Sequence, residues 1–240
     1  DLATFFITIN EPLVYVSGGF LRGKWPPFKK WHPVIHCVRF LRIINNLIMS
    51  HNAAYEKIKK LNPNFKIGIA KNNINFEANN NPINRLVSSL AVWFWNQRFL
   101  KKTKQDFIGL NYYFYRKFGD KEKYEKSDMG WDIYPKGIYN TLMELKRYHK
   151  PIYITENGIA DAADTRRAKY IKDHLLWVWQ AIHDGCDVRG YFYWSLLDNF
   201  EWAQGFEPRF GLVEMNYDTL ERYVRPSAYE YKNICISNKL

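Results

Sequence analysis

The sequence predicts an α/β fold built on a parallel β-sheet. Five short segments rich in β-branched and aromatic residues alternate with longer segments whose apolar residues recur at helical spacing. Strands and helices in alternation indicate βα units, and no linker divides the 240 residues into two parts. We therefore expect a single domain over residues 1–240, with the carboxyl ends of its strands at one rim.

The first half of the chain supplies three of the expected strands. Residues 3–9 form a β-branched and aromatic strand that runs into Asn10, Glu11 and Pro12, and the proline ends this strand just after a carboxylate. The segments that follow are a Gly-, Pro- and aromatic-rich ordered loop at 15–30, an amphipathic helix at 34–61, a strand at 65–70, an Asn-rich loop at 72–84, a helix at 84–101 and a strand at 106–113.

The second half repeats this pattern around another carboxylate. Residues 151–155 have the composition of a buried strand, and the turn dipeptide Asn157-Gly158 ends it immediately after Glu156. One glutamate before a turn is common on ordinary surfaces, but two in the same setting indicate a site. The other segments expected here are helices at 135–148 and 163–184, a strand at 190–195, a hairpin at 212–224 and a last helix from 226.

The charge and hydropathy of the chain limit the classes of partner that we expect. A formal net charge of +11 is compatible with nucleic-acid binding, but the lysines and arginines are scattered over predicted helix faces and loops, and no nucleic-acid motif accompanies them. We expect no nucleic-acid partner. The sequence shows no signal peptide and no apolar run long enough to span a bilayer, so we also expect no membrane partner and a cytoplasmic location.

The spacing of cysteine and histidine limits the cofactors that we expect. The three cysteines are far apart in the chain and form no Cys-x-x-Cys arrangement, and the six histidines have no metal-ligand spacing. We expect neither a disulfide framework nor a metal site, and no organic cofactor.

Two glutamates at one rim of a parallel sheet are suited to glycoside hydrolysis. One carboxyl group must be neutral to protonate the leaving oxygen, and the other must be ionised to attack the anomeric carbon, so their surroundings have to separate their pKa values. Asn10 and Tyr113 are suited to donate to a sugar hydroxyl and to orient a carboxylate, and Trp194 and Trp202 to stack on a pyranose face.

Six motifs, in order, resemble the carboxyl-terminal part of glycoside hydrolase family 1, the β-glucosidase and β-galactosidase family of clan A. Thr8-Ile-Asn-Glu11-Pro12 is similar to the acid/base motif after the family's fourth strand, and Ile154-Thr-Glu156-Asn-Gly158 to the nucleophile motif after its seventh. The other four motifs lie at 106–113, 130–135, 194–202 and 209–211. The resemblance implies a (β/α)8 TIM barrel of which this chain supplies about five βα units, strands 4–8, without the first three strands.

The same resemblance implies a reaction and its residues. It implies a retaining β-glycosidase, exo-acting on β-linked glucosides or galactosides, with Glu156 as the nucleophile and Glu11 as the acid/base. The implied substrate-binding residues are Asn10 on the sugar 2-OH, Tyr113 on the nucleophile, Asn111 beside them, Glu201 on the far hydroxyls, Trp194, Trp202 and Phe210 around the same sugar, and Trp131 under the leaving group.

The chain also departs from the family pattern. In the family, strands one to three carry a glutamine, a histidine-tryptophan pair and an arginine that binds the nucleophile, and that region is not in these 240 residues. A five-strand arc leaves two edges with unpaired N–H and C=O groups. Two functions therefore stay open: an active glycosidase, or a catalytically incompetent half-barrel that binds carbohydrate or needs an amino-terminal segment or a second chain to complete the barrel.

Overall fold

The computed structural model describes residues 3–120 and 122–240, and in these residues five parallel strands form one sheet in the order β1-β2-β3-β4-β5. Spatial order equals chain order, so each strand lies beside the one before it, and the sheet curves as half of a (β/α)8 barrel. The fold class predicted from the sequence is confirmed. The strands are β1 (Phe5–Asn10), β2 (Lys66–Ala78), β3 (Phe107–Phe118), β4 (Ile152–Asn157) and β5 (Val188–Tyr193).

Helices connect these strands. A short antiparallel hairpin and a last helix follow β5, as the sequence predicted. The α-helices are α1 (Pro12–Val16), α2 (Cys37–Leu61), α3 (Pro82–Ala91), α4 (Arg98–Leu100), α5 (Lys136–Leu145), α6 (Arg167–His183) and α7 (Pro226–Ser237); two π-helical segments span Ser17–Leu21 and Val92–Gln97, and two 3₁₀ turns span Lys146–Tyr148 and Trp202–Gln204. The hairpin consists of β6 (Val213–Met215) and β7 (Arg222–Val224).

The helices pack on one face of the sheet. Ile69, Leu110 and Ile154 are fully buried there and belong to the same apolar cluster as Ile44 of α2 and Leu142 of α5. Because successive side chains of a strand point to opposite faces, the residues between these positions face the inside of the half-barrel. The inner face therefore carries polar residues of β3 and β4, such as Asn111 and Thr155.

The strand β2 is longer than the sequence predicted. Residues 72–78 were expected to be loop because they are rich in asparagine, but they continue the ladder with β3 as far as Ala78 opposite Phe118. At the register shift beside Ile74, the side chain of Asn96 accepts from the Ile74 N–H and donates to the Ile74 carbonyl. A side chain from the next helical segment thus satisfies backbone groups that the ladder leaves unpaired, which local propensity does not reveal.

The expected loop at 15–30 is also partly helical. Pro12 opens α1 directly after Glu11, and a π-helical turn carries the chain to Leu21 before the irregular part begins. The helix expected from residue 84 starts two residues earlier, because Asn81 caps it by accepting from the N–H groups of Ile83 and Asn84.

Both outer strands of the sheet expose apolar side chains. Phe5 and Ile7 on β1 are 52% and 45% exposed, and Phe192 on β5 is 59% exposed. Isolated exposed apolar residues are ordinary, but here they stand on unpaired sheet edges. Within the part of the chain that the structure describes, no helix is both long and apolar enough to cross a membrane.

Candidate active site

Glu11 lies where β1 turns into α1. Its N–H donates to the Ala70 carbonyl at 2.9 Å, and its own carbonyl accepts from Val14 and Tyr15, which starts the helix. Its φ of 47° places it in the left-handed region, which costs a non-glycine residue on the order of 1 kcal/mol and is common at functional sites. The strand end thus holds the half-buried Glu11 side chain in a fixed direction.

Glu156 lies at the end of β4, where the register with β3 shifts. Leu110 pairs with Ile154, and the next pair is Asn111 with Glu156, so Thr155 is the extra residue on β4. Because a bulge lets two consecutive residues oppose one partner, Thr155 and Glu156 both stand against Asn111. Motif spacing alone could not show this, although it turns Glu156 toward the inner face.

Asn111 links the two carboxylate strands. Its amide nitrogen donates to Glu11 Oε1 at 3.0 Å and to Asn10 Oδ1 at 3.1 Å, and its Oδ1 accepts from the Thr155 hydroxyl at 2.6 Å. The residue is completely buried. Tyr113, two positions further along β3, donates from its hydroxyl to Glu156 Oε2 at 3.0 Å. One strand therefore positions both glutamates.

Burial dominates the electrostatics of both carboxyl groups. Desolvation raises the pKa of Glu156 to about 7, with the nearby charge of Glu11 as the second cause, and the hydrogen bond from Tyr113 opposes the shift. Desolvation also raises the pKa of Glu11, against the hydrogen bond from Asn111 and the positive charge of Lys71. The two groups are thus coupled, and both hold a proton more readily than exposed glutamates do.

The carboxylates open into one cavity of about 430 Å³. It brings together nine of the ten residues that the sequence predicted for the site, and the tenth, Asn111, is buried behind the glutamates instead of standing on the wall. The predicted residues on the cavity wall are Asn10, Glu11, Tyr113, Trp131, Glu156, Trp194, Glu201, Trp202 and Phe210.

Aromatic rings form much of this wall. Trp131 packs edge-on against Tyr113 at 5.7 Å between ring centroids and lies 6.0 Å from the ring of Phe210, which is buried. Trp202 is 65% exposed, and its ring centroid lies 5.6 Å from that of Trp25, with the two rings tilted by 36°. Burial raises the pKa of Glu201 on the same wall, and the charge of Glu11 adds to the shift. The cavity thus offers flat apolar faces beside three carboxyl groups.

The sequence did not indicate several residues that support the site. Lys71 on β2 is 1% exposed, its Nζ donates to the Asn72 carbonyl, and it lies 5.5 Å from the centre of the Trp95 ring. Burial lowers its pKa to about 7. Arg22, Lys24 and Trp25 join the cavity wall from the segment expected to be an ordered loop. The Gly- and Pro-rich composition of that segment was the only signal for them.

Metal-binding groups do not accompany the glutamates. Among residues 3–120 and 122–240, no three His, Cys, Asp or Glu side chains are grouped closely enough to hold a metal ion. The arrangement can bind a polyhydroxylated ring on aromatic faces and move a proton between carboxyl groups.

Comparison with known sequences places the chain beside glycosidases. The family described as Glycosyl hydrolase family 1 matches residues 72–240. A β-galactosidase of Sulfolobus acidocaldarius is 32% identical over 279 residues, covering 99% of this chain and 56% of that protein. β-Glucosidase A of Acetivibrio thermocellus is 33% identical over 297 residues, covering 99% of this chain and 65% of that protein.

Solved structures give the same result. The β-glycosidase of Pyrococcus horikoshii superposes with a TM-score of 0.85 at 40% identity, covering 95% of this chain and 60% of that one. The family 1 β-glucosidase of Thermotoga maritima superposes with a TM-score of 0.86 at 32% identity, covering 98% of this chain and 64% of that one. The chain thus spans somewhat more than half the length of these relatives. It belongs to glycosyl hydrolase family 1 and corresponds to the carboxyl-terminal part of its members.

Proposed function

We propose that this chain carries the catalytic carboxylates of a retaining β-glycosidase, with Glu156 as nucleophile and Glu11 as acid/base. The observation that carries the proposal is the placement of both glutamates in one cavity, with Asn111 and Tyr113 bonded to them from the strand between. In a retaining site the two carboxyl groups stand about 5–5.5 Å apart, which leaves no room for a water between them and the sugar.

The reaction follows from these positions. Glu11 gives its proton to the glycosidic oxygen while Glu156 attacks the anomeric carbon, so the aglycone leaves as an alcohol and the sugar is bound covalently to Glu156. Glu11, now ionised, then takes a proton from water, whose oxygen attacks the same carbon and releases the sugar. The anomeric configuration is inverted twice and is therefore retained.

The other wall residues would bind the sugar. Asn10 accepts from Asn111 through its Oδ1, which leaves its amide nitrogen for the 2-OH. Glu201 would accept from hydroxyls at the far side, and Trp131 would lie under the leaving group. Trp194, Trp202 and Phe210 would enclose the same ring. A relative from Thermotoga maritima was solved in complex with isofagomine lactam, which supports a sugar-like ligand for this cavity.

In this proposal the chain also needs a partner segment to be fully active. A nucleophile has to be ionised, yet the pKa of Glu156 is about 7, and no cation among the described residues is paired with it. A cationic side chain beside Glu156 would lower that pKa. We propose that an amino-terminal segment, or a second chain, docks on the exposed edges of β1 and β5 and supplies it.

The alternative is a half-barrel that binds carbohydrate without turnover. The open sheet edges and the length of the chain relative to its relatives favour it. Incubation with a 2-fluoro-β-glucoside carrying a good leaving group distinguishes the two, because the fluorine slows both steps and the leaving group restores the rate of the first step alone, so the covalent intermediate accumulates. We expect a covalent adduct on Glu156, found by peptide mass spectrometry. Binding of the sugar without an adduct would favour the alternative.

The partner segment has its own test. Size-exclusion chromatography with light scattering should show the chain associated with itself or with a second polypeptide. A monodisperse species of 28.7 kDa that forms the adduct at a normal rate would contradict the need for a partner.

A further inference from the structure

The segment 17–30, here called the strap, is a fixed part of the cavity wall. Backbone hydrogen bonds close it on itself, from Lys24 to the Gly18 carbonyl at 2.9 Å and from Lys29 to the Gly19 carbonyl at 2.8 Å. Gly18 has no room for a side chain, since a Cβ there would lie 2.4 Å from the Trp25 ring. The strap therefore presents its side chains in defined positions.

Two cations of the strap, Arg22 and Lys24, stand on the cavity wall. Arg22 and Lys24 both line the cavity that holds the glutamates, with the turn residue Gly23 at φ 60° between them. Within residues 3–120 and 122–240 neither side chain makes a hydrogen bond or an ion pair, although the same structure pairs cations elsewhere, such as Arg225 with Asp198. Both are exposed and free to meet a ligand.

The strap lies on the leaving-group side of the proposed reaction. It follows α1, whose first residue, Pro12, comes directly after Glu11, and Glu11 protonates the oxygen of the departing aglycone. The ring centroid of Trp25 in the strap lies 5.6 Å from that of Trp202, which the proposed function places around the sugar, so the strap borders the sugar as well as the path of the aglycone. An aglycone that leaves past Glu11 thus passes an aromatic face with Arg22 and Lys24 beside it.

The carboxyl groups in the cavity oppose these cations less as the pH falls. Glu11, Glu156 and Glu201 share the cavity, and burial raises the pKa of each of them. Each of these groups therefore loses its negative charge at a higher pH than an exposed glutamate does. Their protonation makes the potential around Arg22 and Lys24 more positive.

We propose that Arg22 and Lys24 select β-glycosides whose aglycone carries an anionic group, such as a carboxylate, beyond the sugar. This inference rests on the proposed glycosidase function and specifies its substrate class. Arg22 offers a fork of donors that matches a carboxylate, and Lys24 adds a second charge. Because both side chains are exposed, each contributes modestly and the effect falls with salt.

The test compares two ligands that differ only in charge. Calorimetric titration of the chain with 4-carboxyphenyl and 4-carbamoylphenyl 1-thio-β-glucosides at pH 6 gives two dissociation constants without any turnover. We expect the anionic ligand to bind roughly tenfold more tightly at low ionic strength, and the difference to shrink to about twofold in 0.5 M salt.

Variants assign the effect to the two residues. Arg22→Gln and Lys24→Gln should each reduce the preference, and the double variant should remove it. Lys29→Gln, an exposed strap lysine outside the cavity, should leave it unchanged. Equal affinity for the two ligands, or a preference that survives in the double variant, overturns this inference and leaves the proposed function standing. Binding of neither ligand overturns both.

Discussion

The two carboxylates occupy unlike surroundings, and the difference shows which half of the site this chain completes. Glu156 ends a strand with neighbours on both sides, and the next residue, Asn157, is fully buried. The Asn157 amide donates to the Tyr112 carbonyl and the Tyr170 hydroxyl and accepts from Tyr191. We call β3, β4 and β5 with Glu156 the nucleophile side.

Glu11 ends an edge strand instead. Among the described residues β1 pairs with β2 alone. Its residues Phe5 and Ile7 are about half exposed, and the Phe5 ring lies inside the half-barrel, 5.6 Å from the rings of Phe107 and Tyr153. Behind Glu11 the support comes from β2, which carries the buried Lys71 and also Asn73, whose buried amide has no hydrogen-bond partner among the described residues. We call β1 and β2 with Glu11 the acid/base side. Tight packing on one side and unsatisfied polar groups on the other predict that a partner segment changes the acid/base side most.

The largest expected effect tests the nucleophile side directly. Glu156→Ala should reduce kcat for an aryl β-glucoside by about 10⁴-fold or more, because no covalent intermediate can form. Steady-state kinetics measures this, with Glu125→Ala, an exposed glutamate outside the cavity, as the matched control. Activity that persists in the first variant would place the nucleophile elsewhere.

The packing of the nucleophile side can be tested through Gly158. An added Cβ would lie 1.8 Å from the Trp194 carbonyl oxygen, so Gly158→Ala should lower the free energy of unfolding by about 3 kcal/mol, as urea titration would show. Gly130 is the control: it has φ 72°, and none of the described residues lies within 4 Å of an added Cβ, so Gly130→Ala should lose only about 1 kcal/mol of stability from its backbone. Equal losses would mean that the clash is relieved by movement.

The acid/base side can be tested through Lys71. Since burial holds its pKa at about 7 in the folded state, unfolding takes up a proton between about pH 7 and the usual lysine range. The free energy of unfolding should therefore rise with pH across that window and flatten in Lys71→Met. Urea titrations at pH 7 and pH 9.5 measure this rise, which should be smaller by roughly 3 kcal/mol in Lys71→Met than in the wild type. Lys66→Met, at the exposed start of β2, should keep the wild-type slope.

The smallest effect concerns Tyr113. Its hydrogen bond lowers the pKa of Glu156, so Tyr113→Phe should raise that pKa further. The acid limb of the kcat/KM profile should move up by about one pH unit, with about tenfold loss on that limb and little loss above it. Tyr115→Phe removes a hydroxyl bonded to Glu77, away from the cavity, and should not move the limb. A uniform loss at every pH would indicate a role in orientation alone.

Local sequence signals predicted the order of the strands and the glutamates at their ends. Pro12 after Glu11 and Gly158 after Asn157 impose constraints that act on neighbouring residues, so composition reveals them. The motifs also predicted nine residues of the cavity wall, because the family that they resemble has a known tertiary arrangement.

The rest depends on contacts between distant residues. Residues 72–78 are strand because Asn96 and the whole length of β3 satisfy them, which overrides the turn preference of asparagine. Lys71 is buried because the Asn72 carbonyl and the Trp95 ring accept its charge. The bulge at Thr155 likewise exists only through pairing with β3. No periodicity in one segment carries this information.

The orientation of the Asn111 side-chain amide matters for more than its own hydrogen bonds. The Thr155 hydroxyl donates to its oxygen, which fixes the nitrogen toward Glu11, and an amide turned the other way would lose both bonds. The two hydrogen bonds therefore donate in one direction: Thr155 on β4 donates to Asn111 on β3, and Asn111 donates to Glu11 at the end of β1. The proton affinity of Glu11 thus depends in part on the Thr155 hydroxyl, which lies on the strand that carries Glu156. Thr155→Val removes this hydroxyl and lets the Asn111 amide turn, so it should change the pKa of Glu11.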